Sequence, residues 1–486
     1  MMTVETPAPA TLCNAMGKVK IAALGALAVI AGIPFAQTSN APQVLRLSNT
    51  TGQTYHVATT GSDADPGTLS RPFRTLAKAA SVVASGDVVN VHGGLYALTS
   101  TLAINQHGSA SARILFQPYL NQQVTIDCSG LPTNTNCVTI SGRFIDFQGF
   151  EVRNSGRTGI STWGGQHIRV RNNRIHHSQR SGIVVGHDAI NNSHVVIEGN
   201  VVYLNVQLHN PPTNPNGWPA AIAIFQARYV TLTHNLIYEN YGEGIAFTMS
   251  DRGLIAQNEV RDNFSVNIYL DNATNTAVER NLVYSLYKPQ FFRFNAPANG
   301  IAMANEGIYA GSNPLNNNRI VNNIILNARR GVNYGSYELG GGLKNTLIAY
   351  NTVYSATQAT LNIDADAGHT NTLVVNNIFY QTDGRPIIAH TASPGITFRH
   401  NLWHGGAAGP GAGLGDVNAN PLLANPDGVT AMDYRLLPAS PAVNVADAAY
   451  PTTVDYFGLS RPLGSGYDIG AHEFRWLVYA PAASKP

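Results

Sequence analysis

One asparagine recurs along this chain at the same point of a short repeated phrase. Leu232-Thr-His-Asn235-Leu-Ile-Tyr is followed by Ile255-Ala-Gln-Asn258-Glu-Val-Arg and by Val278-Glu-Arg-Asn281-Leu-Val-Tyr. The series runs from Asn173 and Asn200 through Asn323, Asn351 and Asn377 to Asn401. Neighbouring members stand 23 to 28 residues apart, except for gaps of 35 before Asn235 and 42 before Asn323. A second apolar segment follows each asparagine, as in Gly182-Ile, Ala221-Ile, Gly244-Ile, Asn267-Ile, Gly307-Ile and Gly331-Val. Short alternating strands and turns in a unit of about 23 residues mark a β-solenoid, whereas a propeller blade needs about 40. One such coil cannot bury its apolar side alone, but a stack of coils can. The expected fold is therefore all-β, a right-handed parallel β-helix of about ten coils. Its asparagines should form an internal ladder that satisfies buried polar groups coil by coil.

Solenoid ends need caps. Pro72 to Val83 places Leu76, Ala79, Ala80 and Val83 at helical spacing, which predicts an N-terminal capping helix. A glycine-rich loop, Gly405 to Gly415, should end the regular coils. The expected layout is a signal peptide over 1–36, the β-helix over 54–404, a C-terminal cap over 405–474 and a tail over 475–486. The leader reading rests on Lys18 and Lys20 before the apolar run Ile21 to Ile33 and then Pro34-Phe35-Ala36, with Met16 as an alternative start. That run is too short to span a bilayer. Export would also let Cys128 and Cys137 bridge. Charged residues are 12 % of the chain and the formal net charge is +2, without the basic stripe that nucleic acid requires. A secreted monomer is expected.

The opening of the helix, Tyr55-His-Val-Ala-Thr-Thr-Gly-Ser-Asp with Gly86-Asp-Val-Val-Asn-Val-His-Gly-Gly, resembles that of secreted pectate-lyase-like β-helix proteins. So does the closing Asp455-Tyr-Phe-Gly-Leu-Ser-Arg-Pro462 through Tyr467-Asp-Ile-Gly-Ala-His-Glu473. Family nine polysaccharide lyases and a family of bacterial β-xylosidases share this scaffold. The resemblance implies a protein that handles a polysaccharide, most readily a lyase or epimerase on a uronate-containing glycan. A glycoside hydrolase and a non-catalytic binding solenoid are the alternatives. Asn267-Ile-Tyr-Leu-Asp271 resembles the xylosidase segment that carries the nucleophilic aspartate. The partner carboxylate of that family belongs one coil later, a position that the repeat assigns to Gly311.

Period-two alternation shows which side chains leave the core. Past the asparagine, the outward column reads His176, Tyr203, Tyr238, Arg261, Tyr284, Leu326, Tyr354 and Tyr380. In the second strand it includes Ala246, Tyr269, Tyr309, Asn333 and Asn362. The two long gaps predict loops at 205–219 and 285–305, forming ridges on either side of the short coils at Asn235 and Asn258. The expected binding groove lies between them, with His209, Tyr238, Arg261, Tyr269, Tyr284 and Tyr309 on the substrate. Candidate catalytic groups are Lys288 and Arg293 for proton abstraction beside a uronate, or Glu243, Asp271 and Glu306 for glycoside hydrolysis. Glu239 and Asp262, one coil apart, are candidate ligands for Ca²⁺, although acidic residues also simply favour such corners.

Overall fold

The computed structural model describes residues 52–186, 192–211, 218–306, 314–338, 340–390 and 393–475. The proposed leader therefore lies outside the described residues. Each coil contributes one strand to each of three parallel sheets, in chain order A, B and C. One coil consists of Thr231–Thr233, Leu236–Tyr238 and Glu243–Thr248. Among the described residues sheets A and B have 13 strands each and sheet C has 11, giving an all-β right-handed helix of coils. Alternation works on all three walls. Leu232, Ile237, Ile245 and Phe247 point inward with no exposed surface, as do Ile255, Val260, Ile268 and Leu270 one coil later.

The asparagine ladder fills the corner between sheets A and B. Asn235 Nδ2 donates to Asn258 Oδ1 at 2.9 Å and to the Ile197 carbonyl of the coil before at 2.9 Å. Asn258 repeats the pattern toward Asn281, and the ladder continues to Asn401, whose amide N–H donates to Asp416. The residue before each ladder member is left-handed, for example His234 (φ 57°), Gln257 (φ 55°) and Arg280 (φ 54°). That single left-handed residue turns the chain sharply and aims the amide inward. A second ladder, Asn205, Asn240, Asn263 and Asn267, which the repeat reading missed, fills the corner between sheets B and C. Cys128 and Cys137 are bridged near the N-terminal end.

The capping helix is shorter than expected, Leu76–Val82. Asp63 accepts from the Arg74 and Thr75 amides, and Thr75 caps the helix by accepting from the Lys78 N–H, so the turn begins only there. Leu76, Ala79 and Ala80 close the end of the core.

The C-terminal segment does more than close the far end. Leu423, Tyr434, Leu436, Ala442, Ile469 and Ala471 pack against the outer face of sheet B, over Leu282, Tyr284, Ile324, Leu326 and Tyr354. The closing motif builds the bracket that holds this segment. Arg461 and Glu473 form a fully buried ion pair at 3.1 Å. Asp455 accepts from the amides of Phe457, Leu459 and Glu473. Such a buried pair is supported by further hydrogen bonds: Arg461 Nη1 and Nη2 donate to the Asp468 and Gly470 carbonyls, and Glu473 accepts from the Leu463 and Asp468 amides.

Candidate active site

The predicted outward column on sheet B is real. His176, Tyr203, Tyr238, Arg261, Tyr284, Leu326, Tyr354 and Tyr380 are in register across consecutive strands. Its use differs from the expectation in two ways. Tyr284 is buried under the C-terminal segment and donates its phenol hydrogen to Glu259. Tyr203 and Tyr238 stack on one another at 5.2 Å with an interplanar angle of 3°, and Arg261 covers Tyr238 at 4.4 Å. Their flat faces are thus occupied by neighbours in the column, and only edges and hydroxyls are left for a ligand.

The corner between sheets B and C carries both long loops, but they do not stand apart as ridges. Arg293 from the second loop lies over the Trp218 ring of the first at 4.4 Å and donates to Ser265 Oγ. Trp218 and His209 each meet Phe264 edge to face, at 5.0 and 4.8 Å. Phe291 packs on Tyr241, and His209 Nδ1 donates to the Tyr241 carbonyl. The two loops therefore converge over the short coils and plug the space between them. Tyr238 and Arg261 stay on sheet B, Tyr269 on sheet C, so the expected single groove is divided.

On sheet B, Arg261 Nη1 bridges Glu239 and Asp262 at 3.3 Å each. Lys288 Nζ also pairs with Glu239. Ser285 Oγ and the Leu286 N–H donate to Asp262. Glu239 and Asp262 are the left-handed corner residues of successive coils, with φ 54° and 49°. Their charges are already met by a guanidinium and an ammonium, which does not suit a calcium ion. Among the described residues no group of three or more His, Cys, Asp or Glu side chains is placed to hold a metal.

The chemistry collects on sheet C. Its outward row runs Ala223, Ala246, Tyr269, Ala302, Asn333 and Asn362 in consecutive coils. The register corrects the sequence reading here: the strand that follows Asp271's is Asn299–Ala304, formed by Gly300-Ile301 and not Gly307-Ile308. Ala302 therefore takes the place assigned to Tyr309, and Ala304, not Gly311, is opposite Asp271. Tyr309 and Gly311 themselves lie outside the described residues.

Two residues past Ala304, Glu306 turns back to Asp271. The Glu306 N–H donates to Asn272 Oδ1 at 2.8 Å and to Asp271 Oδ1 at 3.3 Å, and Tyr269 Oη donates to Glu306 Oε1 at 2.6 Å. Burial, and then the negative charge of Glu306, push the Asp271 carboxyl up to about 7. Glu243, enclosed under the plug with only part of its surface reaching solvent, is pushed up to about 8 by burial and by the charges of Glu306 and Asp271, with a Trp218 hydrogen bond and Arg293 acting in the opposite direction. The floor around them is small and apolar, made of Ala220, Ala246, Ala302 and Ala304. Asp271 and Glu243, both raised toward neutrality beside Glu306, can hold and pass a proton near neutral pH. Trp218 had escaped notice because loop sequence carries no register.

Three parallel sheets, their asparagine ladder and a helical cap define a right-handed parallel β-helix protein. Residues 55–339 match the family described as "Pel9A-like, right handed beta helix region", and the chain belongs to that family. Among curated proteins it is similar to the uncharacterized protein YwoF of Bacillus subtilis (strain 168), 23 % identical over 467 residues, covering 85 % of this chain and 93 % of that one. Pectate lyase L of Paenibacillus polymyxa (strain SC2) is 30 % identical over 146 residues, 29 % of this chain and 32 % of that one. Of solved structures, pectate lyase Pel9A superposes with a TM-score of 0.56 at 18 % identity, covering 87 % of this chain and 96 % of that one. XylC in complex with xylose superposes at 0.58 and 14 % identity, covering 86 % and 98 %. These two likenesses are likenesses of fold.

Proposed function

We propose that the protein is an exported enzyme that hydrolyses a glycosidic bond in a uronate-containing polysaccharide, using Asp271 and Glu306. One observation carries this reading: Glu306 is folded back onto Asp271 from the next coil, with Tyr269 fixing its Oε1. The backbone N–H of Glu306 touches the Asp271 carboxylate from the adjacent coil, which makes the two a candidate for the close carboxyl pair that a retaining glycosidase uses. In this mechanism Glu306 protonates the leaving oxygen while Asp271 attacks the anomeric carbon, and Glu306 then takes the proton from the water that releases the sugar. The resemblance to β-helix xylosidases supports attack by Asp271. A rim of Arg293, Arg329 and Arg330 suits a substrate that carries carboxylates, since the three guanidinium groups lie near one another.

A second reading is elimination, favoured by family membership and by Arg293 standing next to Glu243. Lys288, the other expected base, is on sheet B in an ion pair with Glu239. The two readings part on product. Incubating the protein with a panel of plant and algal polysaccharides and weighing the products should give oligosaccharides heavier by one water per cut. Products with an ultraviolet-absorbing unsaturated uronate would establish elimination instead.

A further inference from the structure

The column that carries Asp271 continues as Ala304 and then Gly335 on the next two coils. The missing side chain at Gly335 is filled from outside. A Cβ built there would lie 3.0 Å from Cε2, 3.2 Å from Cζ and 3.3 Å from Oη of Tyr337, so the phenol end of that ring rests on the glycine. Tyr337 is nonetheless 69 % exposed. This arrangement differs from the sheet B tyrosines, whose faces are taken up by other rings. With its phenol end on the glycine and most of its surface exposed, the Tyr337 ring offers area to a ligand. Glu306, Asp364, Arg293 and Arg330 all exert their charge on Tyr337, which places it beside the carboxyl groups. Beside Tyr337 the wall offers Asn333 on the same coil and Asn362 on the next, hydrogen-bonded to one another at 2.9 Å, with Arg330 donating to Asn333.

We propose that Tyr337, seated over Gly335, is a platform on which one pyranose ring of the substrate stacks, about 10 Å (two coils) from Asp271. The inference rests on the reading of sheet C as a sugar-cleaving site and adds one of its subsites. The spacing matches a ring one or two residues from the bond that is cut. Pyranoses present an apolar face of C–H groups to an aromatic ring, while their hydroxyls reach the asparagine amides alongside.

The test uses the full-length Asp271→Asn protein, which should bind without turnover, titrated with oligogalacturonides and with xylo-oligosaccharides of two to six residues. One of the two series should bind more tightly with length, with a gain of about 5- to 10-fold at the residue that reaches Tyr337. Adding Tyr337→Ala should remove that step while leaving the affinity for the shortest oligosaccharide unchanged. Tyr337→Phe should keep it, because the ring and not the hydroxyl is used. Gly335→Ala, which displaces the ring without removing it, should lose it too. A step that persists in Tyr337→Ala overturns the platform and leaves the carboxylate site standing. Failure of both series to bind overturns the platform together with the sugar-cleaving site.

Discussion

Tyr269 and Glu306 sit on neighbouring coils and are joined by a 2.6 Å hydrogen bond from the phenol to Oε1. The tyrosine is confined between Ala246 and Ala302 of the flanking coils. Burial and the charges of Asp271, Glu306 and Glu243 hold its own pKa well above the ordinary value, so it remains a phenol at any working pH. Tyr269→Phe keeps the ring and removes the bond. A hydrogen bond to a charged group is worth about 1.5–3 kcal/mol, so kcat should fall about 10- to 100-fold, with the melting temperature little changed. Steady-state kinetics beside a thermal melt would check this, and undiminished kcat would show that Glu306 needs no such support.

The raised carboxyl groups fix the pH dependence. Asp271 must be ionised to attack the anomeric carbon, and its carboxyl is raised to about 7, so activity should rise as pH increases through about 7. The same shift has a thermodynamic side. Asp271 and Glu243 bind protons more tightly in the folded chain than unfolded, so their stabilising effect is full below about pH 4 and disappears as pH rises through about 7 and 8. At pH 8 the folded state holds charges it would rather not have. Asp271→Asn should then be more stable than the parent by about 1–2 kcal/mol, a figure reduced for solvent screening, and no more stable at pH 4. Denaturant melts at the two pH values measure it.

What the sequence revealed and what it hid have separate causes. The asparagine phrase specified coil and corner, because Asn258 and its relatives each do one job in one place, bonding to the coils on either side. The walls were harder to read. Alternation shows that Tyr284 and Tyr354 leave the coil, but not that Tyr434 and Ile469, over 70 residues away, will cover them. The strand after Asp271 offered two apolar candidates, Gly300-Ile301 and Gly307-Ile308, within seven residues of each other. Periodicity could not choose between them inside the longest gap. That choice determined whether Glu306 lay far from Asp271 or beside it. Asn299-Gly-Ile-Ala resembles Glu243-Gly-Ile-Ala closely enough to have decided it.

The ladder can be tested by removing one rung. Asn258 accepts from the Asn235 backbone and side-chain N–H groups and donates to Leu232 O and Asn281 Oδ1. Asn258→Leu leaves these groups buried and unpaired, with each orphan costing about 1–3 kcal/mol. A drop of at least that size is expected in a urea melt, and a loss smaller than 1 kcal/mol would mean that water replaces the amide.

The bridge between Cys128 and Cys137 joins residues nine positions apart and closes a short loop, with Cα atoms 5.6 Å apart. Loops of that length are stabilised by about 2–3 kcal/mol when cross-linked. Cys128→Ala with Cys137→Ala should lower stability by that amount, read from the midpoint of the same melt. An unchanged midpoint would assign the N-terminal coils' stability to the core alone.

The sharpest separation of hydrolysis from elimination comes from two cations on adjacent parts of one loop. Lys288 reaches sheet B, where Glu239 takes its charge and Arg261 stands beside them. Arg293 reaches sheet C, where it covers Trp218 and opposes the rise in the Glu243 pKa. If carboxyl groups do the chemistry, Lys288→Ala should leave kcat within about twofold, because the change alters only a partly exposed ion pair worth about 1 kcal/mol or less. Arg293→Ala should act differently. It opens the plug and removes a positive charge near three carboxyl groups, so it should raise KM for acidic oligosaccharides more than it lowers kcat. Proton abstraction by Lys288 would instead make Lys288→Ala inactive on every substrate at every pH. Measuring kcat and KM for both variants on one uronate-containing substrate distinguishes the two reactions.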